Sequence, residues 1–218
     1  MNKKCSNCKL ANFANAEVCV RCGHPFGETE NITSNGGFLN SPLVRRIAVF
    51  IVVCGVALLG FYTSLVFSAE KLTFYEQQTV TDAIQLLESK GFKDEVFLLR
   101  NLAIYRRNDN WLNASVEKEN AYAATNFPFE IVTLYPAFFT GPADTTEHAA
   151  ILLHEAKHLQ GKDEKDAYEF VWKNRHRLGW TDENYGASEM WHAVQKQTAE
   201  YSPNLFICTT KPYGDCTE

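Results

Sequence analysis

Residues 144–164 read DTTEHAAILLHEAKHLQGKDE, and the architecture of the chain turns on them. Asp144 has Glu147 three positions on, the pattern that opens a helix by satisfying its first free amides. From His148 to Leu159 there is no Gly or Pro, and Ala149, Ala150, Ile151, Leu152 and Leu153 make the run apolar nearly all round. Such a helix belongs in a core. His154 and His158 are four apart, so their rings share one face. Glu155 is rotated about 100° from His154. Two imidazoles and a carboxylate in a buried helix need partners to offset their desolvation. A divalent metal suits this pattern, with two nitrogen ligands and a carboxylate aimed at a water on the ion. The spacing predicts one catalytic Zn2+ held by His154 and His158, with Glu155 as general base.

A third ligand is needed. Gly161 permits the left-handed turn that ends a helix, and a second helix begins near Asp163. Had the first continued, Glu164 would lie about 9 Å further along its axis, measured from His158, and on another face. The glycine break returns it, so Glu164 is the first choice, with Asp163, Asp166 and Glu169 as alternatives. The bland role for Glu164 is a favourable charge in the first turn of a helix. Tyr168, four after Glu164 and on the same face, is the candidate catalytic hydrogen-bond donor near the metal; its alternative is plain packing. His148, His176 and His192 are candidates to support the metal ligands or the catalysis; their alternative is a surface or packing role.

The surroundings predict an α+β domain over residues 70–218, mostly helical with a short sheet. Glu130 to Tyr135 alternates and is β-branched, so it reads as a strand ended by Pro136. Glu76 to Ser89 and Val96 to Arg107 read as helices, with Arg106-Arg107 a solvated helix end. DEKDAYEFVWKNRHRLGW reads as one helix after the metal site, and its aromatic residues as core.

Charge divides the chain of 218 residues into three parts. Residues 1–46 carry six Lys/Arg against three Asp/Glu, residues 47–69 carry none of either, and residues 70–218 carry 15 against 23. The acidic balance of the last part argues against nucleic acid as a partner. The uncharged run from Ile47 to Phe67 extends about 31 Å as a helix, the thickness of a bilayer core. A transmembrane helix is therefore expected over 44–68. Arg45 and Arg46 before it predict a cytoplasmic N-terminus and an exported C-terminal domain, periplasmic or extracellular. Residues 27–43, rich in Gly, Asn, Ser and Thr, read as a flexible linker.

Seven cysteines follow this division. Cys5-x2-Cys8 and Cys19-x2-Cys22 are two knuckles that together supply four thiolates to one structural Zn2+ over residues 1–26. So short a segment cannot bury a core, and the metal must supply its folding energy. Cys54 lies in the apolar helix as a small apolar residue. Cys208 and Cys216 are expected to pair as a disulfide in an oxidising compartment.

Two resemblances follow from these motifs. The four-cysteine stretch resembles the short zinc-ribbon modules at the N-termini of many bacterial membrane proteins, which implies metal binding and a protein partner but no chemistry. HEAKHLQGKDE resembles the zincin metallopeptidases: His154, Glu155 and His158 match their HExxH, and the extended pattern is similar to that of metzincin-type enzymes with Glu164 in place of the usual third His. Glu164-x-x-Ala167 is also similar to the Glu-x-x-Ala helix of the glutamate-ligand zincins. Met190 sits in the helix-like run SEMWHAVQKQTAE rather than in a Met-turn. The resemblance implies a membrane-anchored zinc metallopeptidase acting on a peptide or protein substrate outside the cytoplasm, with the preceding strand binding substrate backbone. The competing expectation is a non-catalytic, membrane-tethered zinc-binding scaffold or signalling protein.

Overall fold

The computed structural model describes residues 2–26, 41–112, 114 and 122–207. The expected Cys208–Cys216 bridge and most of the expected linker lie outside them. The described residues form a mostly helical α+β structure with one long apolar helix and an N-terminal cysteine cluster. Two compact units divide it, residues 1–55 and 56–218.

The first unit begins with β1 (Lys3–Lys4) paired antiparallel to β2 (Ala11–Asn12), Lys3 opposite Asn12. The apolar helix, α1, runs Pro42–Phe67. Pro42 suits a first helical turn, where its missing N–H costs nothing. Among the described residues it is the one helix long and apolar enough to cross a membrane.

In the second unit, α2 (Phe74–Ser89) starts with a full capping box between Thr73 and Glu76. It buries Val80, Ala83, Ile84 and Leu87, one helical face. Next comes α3 (Lys93–Asn101), and the chain then turns into β3 (Ile104–Arg106). The helix expected to reach Arg107 thus ends six residues early. Ile104 and Tyr105 pair in parallel with Ile131 and Val132, a ladder a helix end could not make. Arg106 is not a solvated helix end; it is buried, and its Nε donates to the Val66 carbonyl at 3.0 Å. A cation there also complements the negative C-terminal end of α1.

The sheet has the order β3–β5–β4, with β4 (Ala123–Asn126) antiparallel to β5 (Ile131–Leu134). The expected strand at Glu130–Tyr135 is therefore the central one, paired on both sides. It has no open edge for a peptide; β4 has. Pro136 ends β5 and opens a short helix, α4 (Pro136–Thr140).

The central element is α5 (Thr145–Leu159), packed on α2, α3 and β4 and on α6 (Glu164–Lys173). Asp144 caps it, accepting from the amides of Thr146 and Glu147. The Glu147 carboxylate does not close a box on Asp144. It is fully buried and accepts from the Ala143 amide at 2.7 Å and from the Ser188 hydroxyl. The expected long helix after the metal site is broken at Asn174 into α6 and a turn, α7 (Arg175–Leu178), which Gly179 closes at φ 88°. Then follow α8 (Asp182–Tyr185) and α9 (Glu189–Tyr201). Trp172, Trp180 and Trp191 pack against one another in the core, as the sequence indicated.

One charged pair crosses this core. Lys157 Nζ lies 2.9 Å from Glu95 Oε1 and 3.6 Å above the Phe170 ring, and both charged side chains are about nine-tenths buried. Glu95→Ala leaves a buried ammonium without its counter-charge, a loss expected to cost about 3–5 kcal/mol of stability. Chemical denaturation of the variant measures it; a midpoint unchanged from wild type would show that Lys157 reaches water instead.

Candidate metal centres

From Glu147 to Leu159, every residue of α5 is buried except His154 and His158. These two are half-buried because they face a cleft of about 1060 Å³ rather than the core. The helix ends in a Schellman turn: Gly161 at φ 72° donates to the His158 carbonyl at 2.9 Å, and Lys162 donates to the Lys157 carbonyl at 3.0 Å. The turn does two things for the site. It reverses the chain, so that Glu164, the first residue of α6, returns to the histidines. It also presents the Lys162 carbonyl 2.9 Å from His158 Nδ1. A proton on Nδ1 then leaves the Nε2 lone pair directed into the cleft.

The two imidazole nitrogens and the Glu164 carboxylate form a small triangle. His154 Nε2 and His158 Nε2 are 3.0 Å apart, and the two Glu164 oxygens lie 3.2 Å from His154 and 3.4 Å from His158. Ligands bound tetrahedrally at about 2.0 Å stand about 3.3 Å from one another. The donor set and its spacing therefore fit a small divalent cation. Glu164 is held well below the usual carboxylate range by hydrogen bonds from the two imidazoles. Burial works against a charge on His158, but the Glu164 carboxylate and the nearby Glu155 raise it to about 9.

Of the other acids weighed for the third position, none joins the triangle. Asp163 caps α6 by accepting from the Asp166 amide, Asp166 pairs with Lys162 at 3.4 Å, and Glu169 pairs with Lys173 at 2.6 Å. Glu155 is 4% exposed and lines the same cleft. Its Oε2 accepts from the Thr125 hydroxyl at 2.7 Å, which fixes the carboxylate plane. Tyr168 stands beside the site with its ring 4.5 Å from that of His154. Its hydroxyl donates to Gln197, and its pKa is raised by burial and by the Glu164 charge, so it is a neutral donor.

Comparison with protein-family models, with curated proteins and with solved structures finds no match.

The cysteine cluster is built by two copies of one device. In each, the residue after the second cysteine of the knuckle takes a left-handed conformation: Lys9 at φ 61° and Gly23 at φ 66°. Its amide then donates to the first cysteine's carbonyl, Lys9 to Cys5 at 3.0 Å and Gly23 to Cys19 at 2.9 Å. The knuckles face each other with Cys5 Sγ 3.6 Å from Cys22 Sγ and Cys8 Sγ 3.5 Å from Cys19 Sγ. Sulfurs bound tetrahedrally at about 2.3 Å stand about 3.8 Å apart, so these four are able to hold a metal ion such as zinc. Backbone amides favour the Cys5 and Cys19 thiolates. The Cys8 amide lowers the Cys5 pKa; burial opposes ionisation of Cys19, yet the amides of Arg21 and Cys22 bring it down to about 6.

Among the cleft residues that sequence reasoning missed are Thr125, Phe127, Gln197 and Tyr201. Thr125 lies 30 positions from the carboxylate it holds and Gln197 lies 29 from Tyr168. Tyr201 stacks on Tyr168 with ring centroids 5.5 Å apart. Such non-local pairings leave no local pattern to read. His148 is buried against Phe138, while His176 and His192 are exposed.

Proposed function

We propose that this chain is a membrane-anchored, zinc-dependent metallopeptidase that hydrolyses peptide bonds outside the cytoplasm. One observation carries the reading: His154, His158 and Glu164 converge on one point of a large cleft, with Glu155 buried in its wall. A structural metal site has no use for a buried carboxylate beside its ligands. A bound zinc lowers the pKa of a water and polarises a carbonyl oxygen. His154, His158 and Glu164 supply the protein ligands. Glu155 takes the proton of the attacking water and returns it to the departing amine nitrogen. Thr125 keeps Oε2 occupied, so the proton moves through Oε1. The zincin resemblance of HEAKHLQGKDE supports the same chemistry.

The rest of the chain fits an anchored enzyme. α1 supplies the span, Arg45 and Arg46 hold its N-terminal end in the cytosol, and the cysteine module binds its own zinc there and meets a protein partner. Metal analysis of the full chain tests the proposal at its base. The expected content is about two zinc ions per chain, falling to about one in His158→Ala, because one half-site lacks the ligand count that zinc requires. Hydrolysis of a mixed peptide library should disappear with the second ion. An unchanged metal content in the variant would remove the catalytic reading and leave a tethered scaffold.

A further inference from the structure

The last turns of α1, after Gly55, belong to the second unit and are tied into it. The Arg107 amide donates to the Glu70 carbonyl at 3.0 Å, and the Glu70 amide donates to Asn108 Oδ1 at 2.6 Å. Trp111 is tied to the helix twice, its amide to Ser68 Oγ at 3.3 Å and its Nε1 to Ser64 Oγ at 3.2 Å. Its ring meets Phe61 edge-on at 5.6 Å, and Phe129 meets Phe61 at 5.7 Å.

These contacts set a depth. Phe61 stands six residues before the last residue of α1, which places it about 9 Å back along the axis. Trp111 and Phe129 therefore lie beside the last turns of the apolar segment, not beyond its end. Trp111 is 51% exposed and Phe127 56% exposed. The Asp109 carboxylate accepts from the Tyr135 hydroxyl at 2.6 Å, a contact that draws it towards the domain, and the run Phe127-Pro128-Phe129 carries no charge. Trp111 and Phe129 at that height, with the exposed Phe127 two residues along the chain from Phe129, match the aromatic residues that sit at membrane–water interfaces. A soluble surface would leave them in water without compensation.

We propose that Trp111, Phe127 and Phe129 form an aromatic foot that rests in the interface of the same bilayer that α1 crosses. The inference depends on the membrane reading of α1 and not on hydrolysis. Lipid is the occupant because the foot is held by the helix itself at the height where lipid must be. Phe127 also belongs to the wall of the metal cleft, its ring packed over the turn at Gly161, where an added Cβ would lie 3.5 Å from it. The foot thereby sets one lip of the cleft at the membrane surface.

The other three tryptophans are buried in the core, so Trp111 is a natural depth probe. The full chain is reconstituted in phosphatidylcholine vesicles whose acyl chains carry bromine either near the headgroup or near the chain end. The expected result is loss of the Trp111 emission with shallow bromine, little loss with deep bromine, and no bromine-dependent loss in Trp111→Phe. Adding Phe127→Trp to that variant moves the probe to the cleft lip, where shallow bromine should quench it again. The same quenching in Glu155→Gln would show that the foot is independent of catalysis. Emission unaffected by bromine in both probes, as cover by a second copy or a soluble partner would give, overturns the proposal.

Discussion

On the proposed function, Glu155→Gln is expected to bind zinc as the wild type does and to lose hydrolysis by about a hundredfold to ten-thousandfold, the usual worth of a general base. The amide is isosteric, so it fits the same buried position, and it still accepts from the Thr125 hydroxyl that now holds Oε2 at 2.7 Å. What it cannot do is take a proton. None of the three converging ligand atoms belongs to Glu155, so metal content should not change. The comparison is rate on a peptide library at equal zinc loading. A variant with full metal and full activity would refute the role given to Glu155. A variant that lost its metal would instead place the carboxylate among the ligands.

The parts of this site that were legible in the sequence are those within one helix and its turn. HExxH spacing put two imidazoles on one face of α5, and the Gly161 break brought Glu164 back to them; both depend on local geometry. Which acid faces the two histidines was legible only as a short set. It took the Asp163 cap and the two lysine pairs to leave Glu164 facing the histidines. What closes the far side of the cleft came from elsewhere in the chain. Thr125 sits on β4, an edge strand of four residues, and Gln197 and Tyr201 come from α9. The reading of Val96 to Arg107 as one helix failed for a related reason. Leu102, Ala103 and Arg106 continue a helical pattern, but pairing with β5 is available only once the chain has folded, and that tertiary gain outweighs local preference. The same change gave Arg106 its place against the Val66 carbonyl.

Cys19→Ser should unfold the N-terminal module while the metal cleft and its domain keep their stability. Among residues 2–26 the only buried side chains are Cys5, Asn12 and Cys19, and Phe13, Val18 and Val20 are exposed. There is no apolar core to hold β1 against β2, and a two-residue ladder is far below what stands alone in water. On the zinc reading the folding energy comes from the ion, and structural zinc supplies about 10–16 kcal/mol in modules of this size. Cys19 lies deep in the cluster. It is 2% exposed, its sulfur accepts from Asn12 Nδ2 at 3.6 Å, and its carbonyl closes the second knuckle through Gly23. Serine keeps the shape but offers a hydroxyl, which is a poor replacement for a thiolate at zinc. Substitution is preferred to chelation here because a chelator would strip the histidine site as well. In the full chain, the expected outcome is rapid thiol modification of Cys5, Cys8 and Cys22 and loss of amide protection confined to residues 2–26. The unfolding midpoint of residues 70–207 should stay where it was. If the three remaining thiols stay protected, the knuckles are holding one another without metal, and the energy that folds the module lies in contacts other than the four sulfurs.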